Sequence, residues 1–224
     1  MSSKTSKKSK KQEGASLEVW RSDAYRLLAA CFYEPDREMF LSEKLTANLA
    51  AALREAGAPA DEACRSMEES LRQSSQEELL VEYSALFLGP FKVLAVPHGS
   101  VYLEPASRQL MGRTSVRVGD LYKFAGLAQE ENEPPDHIAL ELEFMAFLSL
   151  KLSNPEPAAA GEDAEEGLPP LDSAGLRAEF LRDLLAPWIP PFCAAIREHA
   201  ELGFYRGLVD CLEGFIAVEK AAHL

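Results

Sequence analysis

Apolar side chains recur along this chain at steps of three and four residues, the spacing that gathers them on one face of an α-helix. Leu17, Trp20, Ala24, Leu27, Leu28 and Cys31 form the first such stripe. Glu34-Pro35-Asp36 ends it, because the residue before a proline is disfavoured in the helical conformation. A second helix is predicted over 38–56 with Gly57 as its C-cap, and a third over 60–73. A fourth starts near Glu77, carries Leu79, Leu80, Tyr83, Leu86 and Phe87 on one face, and stops at Gly89-Pro90. Helical spacing returns over 107–126, with Gly126 as the stop. After Glu133-Pro134-Pro135-Asp136-His137 comes an unusually apolar helix, running to about Leu152. Ile138, Leu142, Met145, Leu148 and Leu152 make one stripe on it, and Leu140, Phe144 and Phe147 another, so it belongs at the centre of the fold. Three further helices are expected. One is capped by Asp172 or Ser173, one spans about 192–201 after a break at Trp188-Ile189-Pro190-Pro191, and the last carries Phe204, Leu208, Cys211, Leu212, Phe215 and Ile216.

Two stretches lack this periodicity. Residues 90–108 hold Pro90, Pro97, Gly99 and Pro105 among Val93, Val96, Val101 and Tyr102. The prolines leave few donors for a strand ladder, so the segment reads as an ordered irregular loop, the kind of place where binding sites tend to lie. Residues 153–175, rich in Pro, Ala and Glu, read as a mobile acidic linker or hinge. The expectation is an all-α fold: a single helical domain over 17–224 with eight or nine helices, or two sub-bundles joined at the linker. Residues 1–16, basic and poor in apolar side chains, are expected to be a disordered tail.

Charge sharpens this picture. The net charge is −13, yet the first sixteen residues carry five lysines against Glu13, which leaves −17 on the rest. An acidic body excludes nucleic acid as a natural partner and suits a cationic one, such as an arginine-bearing peptide. No apolar run approaches the roughly 18 residues of a membrane span. The lysine-rich start lacks the apolar stretch of a secretory signal. Cys31, Cys64, Cys193 and Cys211 form no CxxC pair and no zinc spacing, which fits a reduced cytosolic chain.

The candidate chemistry is sparse. Asp136 and His137 open the central helix, with Pro135 suited to its first position and Asp136 to its first turn. A charged His137 at that end is disfavoured, so it is the less easily explained of the two. His137 and Glu141 share a helix face and could hold a metal if His98 or Glu104 supplied a third ligand. Tyr83, Phe87, Phe144 and Phe147 at helical spacing read first as core. Tyr102, beside Glu104 in the irregular loop, offers an apolar ring with a polar tip. No Gly-x-Ser-x-Gly elbow and no glycine-rich phosphate loop is present. Nothing compels a catalytic reading, and no cofactor or resident metal is called for.

Two segments together carry a family resemblance. Tyr83-Ser-Ala-Leu-Phe87-Leu-Gly-Pro90 followed by Pro97-His-Gly-Ser-Val-Tyr102-Leu-Glu104 resembles the first signature of the TorD/DmsD chaperones. Glu133-Pro-Pro-Asp136-His137 running into Glu141-Leu-Glu-Phe-Met145 resembles the second, and Phe180 to Phe192 with Phe204-Tyr205 resembles the family's C-terminal end. That resemblance implies an all-helical cytoplasmic chaperone, not an enzyme. Its partners would be the twin-arginine leader and the apo catalytic subunit of a molybdopterin oxidoreductase, with export held back until the cofactor is inserted. It also implies a monomer or a domain-swapped homodimer hinged at 153–175. By the same resemblance Asp136 and His137 fall on the leader-binding motif and Tyr102 and Glu104 on the loop facing it, with Tyr83 and Phe87 in the first signature. Glu104, Asp136 and Glu141 would then receive the leader's guanidinium groups. Three rival readings stand beside this one. The chain could be a nitrate-reductase-type assembly chaperone acting mainly on the catalytic subunit, a small helical metalloenzyme using His137 and Glu141, or a structural helical adaptor.

Overall fold

The structure, a computed structural model, describes residues 2–89, 92–106, 112–128, 134–154 and 172–223, with side chains from Ser16 onward. Among these residues the chain forms eleven α-helices and no strand: α1 (Ser2–Ala30), α2 (Arg37–Ser42), α3 (Leu45–Glu55), α4 (Asp61–Gln73), α5 (Gln76–Tyr83), α6 (Gly99–Leu103), α7 (Arg113–Phe124), α8 (Ile138–Ser153), α9 (Ser173–Phe180), α10 (Ile189–His199) and α11 (Gly203–His223). The all-α expectation is met, with more and shorter helices than foreseen.

The differences have local causes. The expected helix over 38–56 is two, because the chain turns at Lys44, whose φ is 52°. The Asn48 side-chain amide donates to the Glu43 carbonyl exposed at that break. The helix from Gln76 starts on a capping box between Ser75 and Glu78. It then widens into a π-helical turn over Ser84–Leu88. A second π turn, Leu181–Leu185, follows α9. Pro190 and Pro191 do not break the chain but open α10, where a proline's missing N–H costs nothing. The expected helix over 107–126 begins at Arg113, and 107–111 lie outside the described residues. Within the irregular loop one short helix, α6, has formed. The helical backbone of α1 reaches back to Ser2 through the basic segment read as a tail. Of the expected linker, residues 155–171 lie outside the described residues, while Asp172 caps α9 by accepting from Gly175 N–H.

As its composition predicts, α8 is the central helix. It packs along α1 and against α9, while α4 crosses α11 and α10 packs on α11. Leu142, Met145 and Leu148 are sealed from solvent, and Phe144 is in ring contact with Tyr122 and Phe180. A second aromatic cluster joins Phe32, Phe87, Phe192 and Tyr205. The four cysteines are all buried, with the thiols of Cys64 and Cys211 3.5 Å apart across the α4–α11 crossing.

Candidate functional site

The two segments singled out in the sequence meet in space. A single antiparallel bridge pairs His98 with His137. Gly99 N–H donates to the Asp136 carbonyl at 2.9 Å, and Ile138 N–H donates to the Pro97 carbonyl at 2.9 Å. Ser100 N–H donates to Asp136 Oδ2 at 2.7 Å. Behind them the Tyr122 hydroxyl donates to the Pro135 carbonyl at 2.9 Å. The backbone donors that 97–100 and 134–138 cannot place in a helix are thus spent on each other, as buried backbone groups require. The result is a latched non-helical island between α6 and α8.

This arrangement corrects the expected helix start. His137 is the N-cap of α8 and Asp136 lies outside it in a turn with Pro135. Ala139 N–H donates to His137 Nδ1 at 3.2 Å, so the imidazole acts as a neutral acceptor. Burial first, then the neighbouring His98, lowers the His137 pKa to about 4, against a smaller raising effect of Asp136. That resolves the puzzle of a histidine at a helix N-terminus: it is uncharged there.

Deeper in, Glu141 is fully buried and its Oε2 accepts from the Trp188 indole N–H at 3.1 Å. Burial holds its carboxyl pKa well above the usual carboxylate range, the indole hydrogen bond opposing and Asp136 reinforcing the shift. Oε1 of Glu141 and Oδ1 of Asp136 are buried with no hydrogen-bond partner. Gly99 fits here because it has no side chain. A Cβ at that position would stand 2.9 Å from Trp188 Nε1 and 3.2 Å from Glu141 Oε1. Tyr102 stacks on the Trp188 ring, centroids 5.7 Å apart, and meets Phe192 edge-on at 6.1 Å.

Six of the seven sequence candidates therefore form one connected set. Asp136, His137 and Glu141 are joined through Trp188 to Tyr102, and through Phe192 to Phe87 and Tyr83. Tyr83 and Phe87 sit in the core, 8% and 4% exposed. Glu104 stands apart. Its carboxylate accepts from Thr114 N–H at 2.5 Å, at the start of α7, whose own N-cap, Gly112, has no side chain to offer. Hydrogen bonds from Thr114 and Arg113 hold the Glu104 carboxyl below its usual range. The proposed metal set of His137, Glu141 and a third ligand is accordingly dispersed. No group of three or more His, Cys, Asp or Glu suited to a metal occurs among the described residues.

Sequence reasoning read Trp188 in a break and in the family's C-terminal end but not as a site residue, and it missed Tyr33. The Tyr33 ring stacks on His137 at 6.4 Å and its hydroxyl donates to Glu143 at 3.0 Å, placing an exposed aromatic over the island. It missed as well a buried ionic knot. There Arg21 pairs with Glu219 at 2.7 Å, Tyr25 donates to Glu219 at 3.1 Å, and Arg177 binds Glu18 and Ser149. Alternating charges on α1, α9 and α11 were the available signal. No helix among the described residues is long and apolar enough to cross a membrane.

Comparison with known proteins bears directly on this island. The family described as nitrate reductase delta subunit matches residues 47–194, which include both latched segments. The chaperone protein TorD of Photobacterium profundum is 34% identical over 152 residues, 67% of this chain and 66% of that protein. TorD of Vibrio vulnificus is 29% identical over 153 residues, 66% of each. The match thus spans just under two thirds of the length of these relatives. A crystal structure from Archaeoglobus fulgidus, described as a candidate redox enzyme maturation protein, superposes with a TM-score of 0.53. It is 24% identical and the match covers 86% of this chain and 93% of that one, which establishes a shared fold. On the extent of the family match, the chain belongs to the nitrate reductase delta subunit family, alongside the TorD chaperones.

Proposed function

We propose that this protein is a cytoplasmic chaperone for molybdoenzyme maturation. It binds the twin-arginine leader, the apo catalytic subunit, or both, of a molybdopterin oxidoreductase, and carries out no reaction of its own. The observation that carries the reading is the latch between 97–100 and 134–138. In an otherwise helical protein two distant segments give up helical hydrogen bonding to build one fixed non-helical face, roofed by Tyr33, His98 and His137. A preorganised face of this kind lowers the ordering cost of binding an extended peptide. The family match, which runs through the same segments, and the relationship to TorD chaperones supply the class of partner.

The test is a titration of the purified chain with synthetic twin-arginine leader peptides, followed by heat or tryptophan fluorescence. Saturable binding is expected, weaker when lysines replace the peptide arginines, because only guanidinium offers a planar fork to a carboxylate. Asp136→Ala, which frees Ser100 from its clamp, is expected to weaken binding while circular dichroism remains helical. If no leader binds to the folded protein, the leader reading fails. The partner is then the mature catalytic subunit, as the nitrate reductase name of the matched family suggests.

A further inference from the structure

A leader with two arginines needs several carboxylates it can reach, and the exposed one bonded at the island, Glu143, already accepts from the Tyr33 hydroxyl. Asp136 and Glu141 are 0% exposed, and Glu104 is engaged at the start of α7. Reachable carboxylates, next to an apolar floor, occur elsewhere. A groove of about 520 Å³ lies between α5 with its π turn and the α10–α11 junction. Val81, Leu86, Leu94 and Leu202 give it an apolar lining, in which Leu86 is fully buried and Val81 is 64% exposed. Glu77, Glu78, Glu82 and Glu201 bring carboxylates to the same groove. No Lys or Arg is among its described lining residues. Arg206, which partly offsets Glu82, donates its Nε to the Ala200 carbonyl.

The four glutamates are not equivalent. Glu78 is engaged with Ser75 in the capping box that starts α5. One oxygen of Glu82 accepts from the N–H groups of Glu201 and Leu202 just before α11, while Oε2 is buried with no hydrogen-bond partner. Glu77 and Glu201 are exposed on either side. A cation seated between Glu77 and Glu201 would find two exposed carboxylates.

We propose that this groove seats the arginine end of the leader, leaving the rest of the peptide to the latched face. The arginine pair is held by Glu77 and Glu201, and the apolar residues that follow cover Val81 and Leu94. This rests on the leader-chaperone reading above and adds its location. Charge complementarity selects the occupant. An apolar groove lined by four glutamates, with one histidine, His199, and no Lys or Arg among its described lining residues, favours a peptide that is basic and then apolar over an acidic or wholly apolar one.

The test uses Glu77→Lys/Glu201→Lys, a double variant of two exposed side chains, beside a control of equal net charge, Glu38→Lys/Glu55→Lys, on exposed positions outside the groove. Both are titrated with the leader peptides at low and high salt. The groove variant is expected to bind about tenfold more weakly at low salt, because two attractions are lost and two repulsions gained. The deficit should shrink at high salt, and the control should bind like the wild type. Val81→Asp should also weaken binding, and a peptide whose apolar stretch is replaced by serine should lose its sensitivity to that variant. Equal weakening in groove variant and control would mean that only the overall acidic field acts, and would overturn the site. So would wild-type affinity in the groove variant, with the leader reading intact. Failure of the wild type to bind any leader would overturn the leader reading and this site with it.

Discussion

The island and the groove use the same kinds of side chain to opposite ends. In the island, carboxylates, an imidazole and an indole are drawn inward and bonded to one another or to the backbone, with Asp136 Oδ1 and Glu141 Oε1 left over. Asp136 holds Ser100, Glu141 holds Trp188, and His137 caps its own helix. In the groove, Glu77 and Glu201 stand in water beside an exposed valine. Buried polar groups bonded to one another specify a shape, whereas exposed apolar surface rimmed by charge marks a place for a partner. The residues that look most like a motif therefore hold the fold of the latched face, and those with charge to spare carry no motif at all.

Breaking the island tests the first half of this contrast. Asp136→Ala strands the Ser100 N–H and removes a hydrogen bond to a carboxylate. A loss of about 2–3 kcal/mol in denaturant unfolding is expected, partly offset by relief of the unpaired Oδ1. Unchanged stability would show that the latch does not hold the loops. Gly99→Ala forces a methyl group against the Trp188 indole and the Glu141 carboxyl, both fully buried, and is expected to cost about 2 kcal/mol. Its readout is a shift in unfolding midpoint together with a change in Trp188 emission.

The imidazole gives the island a pH signature. Because the folded-state pKa of His137 is lowered from 6.5 to about 4, the unfolded chain binds more protons in that window. Stability from this group is complete above pH 6.5 and is lost as pH falls toward 4, by roughly 2 kcal/mol after discounting for solvent at its edge. His137→Asn keeps a capping acceptor but cannot titrate, so the unfolding free energy should fall less steeply across the window. His223, lowered to about 4 by burial and by Arg177 and Arg21, retains part of the slope in either protein. Glu141, whose pKa is raised, acts in the opposite direction and costs stability as pH rises above about 4.5. An unchanged slope in His137→Asn would mean that this imidazole is not held neutral.

Much of this was legible in the sequence, and the reasons differ by element. The uniform apolar surface of α8 foretold its central place because burial on all sides leaves no polar face to encode. Tyr102 was picked out from a loop that breaks helical spacing and Asp136 from the expected start of α8, and both belong to the connected island. Glu104 was picked out by the same reasoning, but its task is local. It reaches ten residues ahead to supply a cap that Gly112 cannot, and no periodicity records such a contact. Glu104→Ala should therefore cost about 1 kcal/mol, the usual worth of a cap, and loosen α7 in hydrogen exchange. The break at Lys44 was invisible, since a left-handed lysine leaves no signature in residue type. The groove was invisible for a different reason. Its walls come from α5, the loop at Leu94 and the α10–α11 junction, and each contributes residues that look like ordinary solvated surface.

The smallest expected effect on stability is the sharpest for the comparison. Val81→Ser removes two methyl groups from a side chain already 64% exposed and places a hydroxyl in water. Folding stability should stay within about 0.5 kcal/mol of the wild type, since exposed substitutions away from caps and networks rarely do more. If Val81 is exposed only because its partner is absent, the same change should weaken leader binding several-fold, since burying an apolar side chain is worth about 1.5 kcal/mol or more. A substitution silent in unfolding and costly in binding is the opposite of Gly99→Ala, which is costly in unfolding. Measuring both on the same two axes separates the part of the molecule that makes the surface from the part that uses it. If Val81→Ser proves costly to folding as well, the valine belongs to the core of the fold, and the contrast between the two regions does not hold at that position.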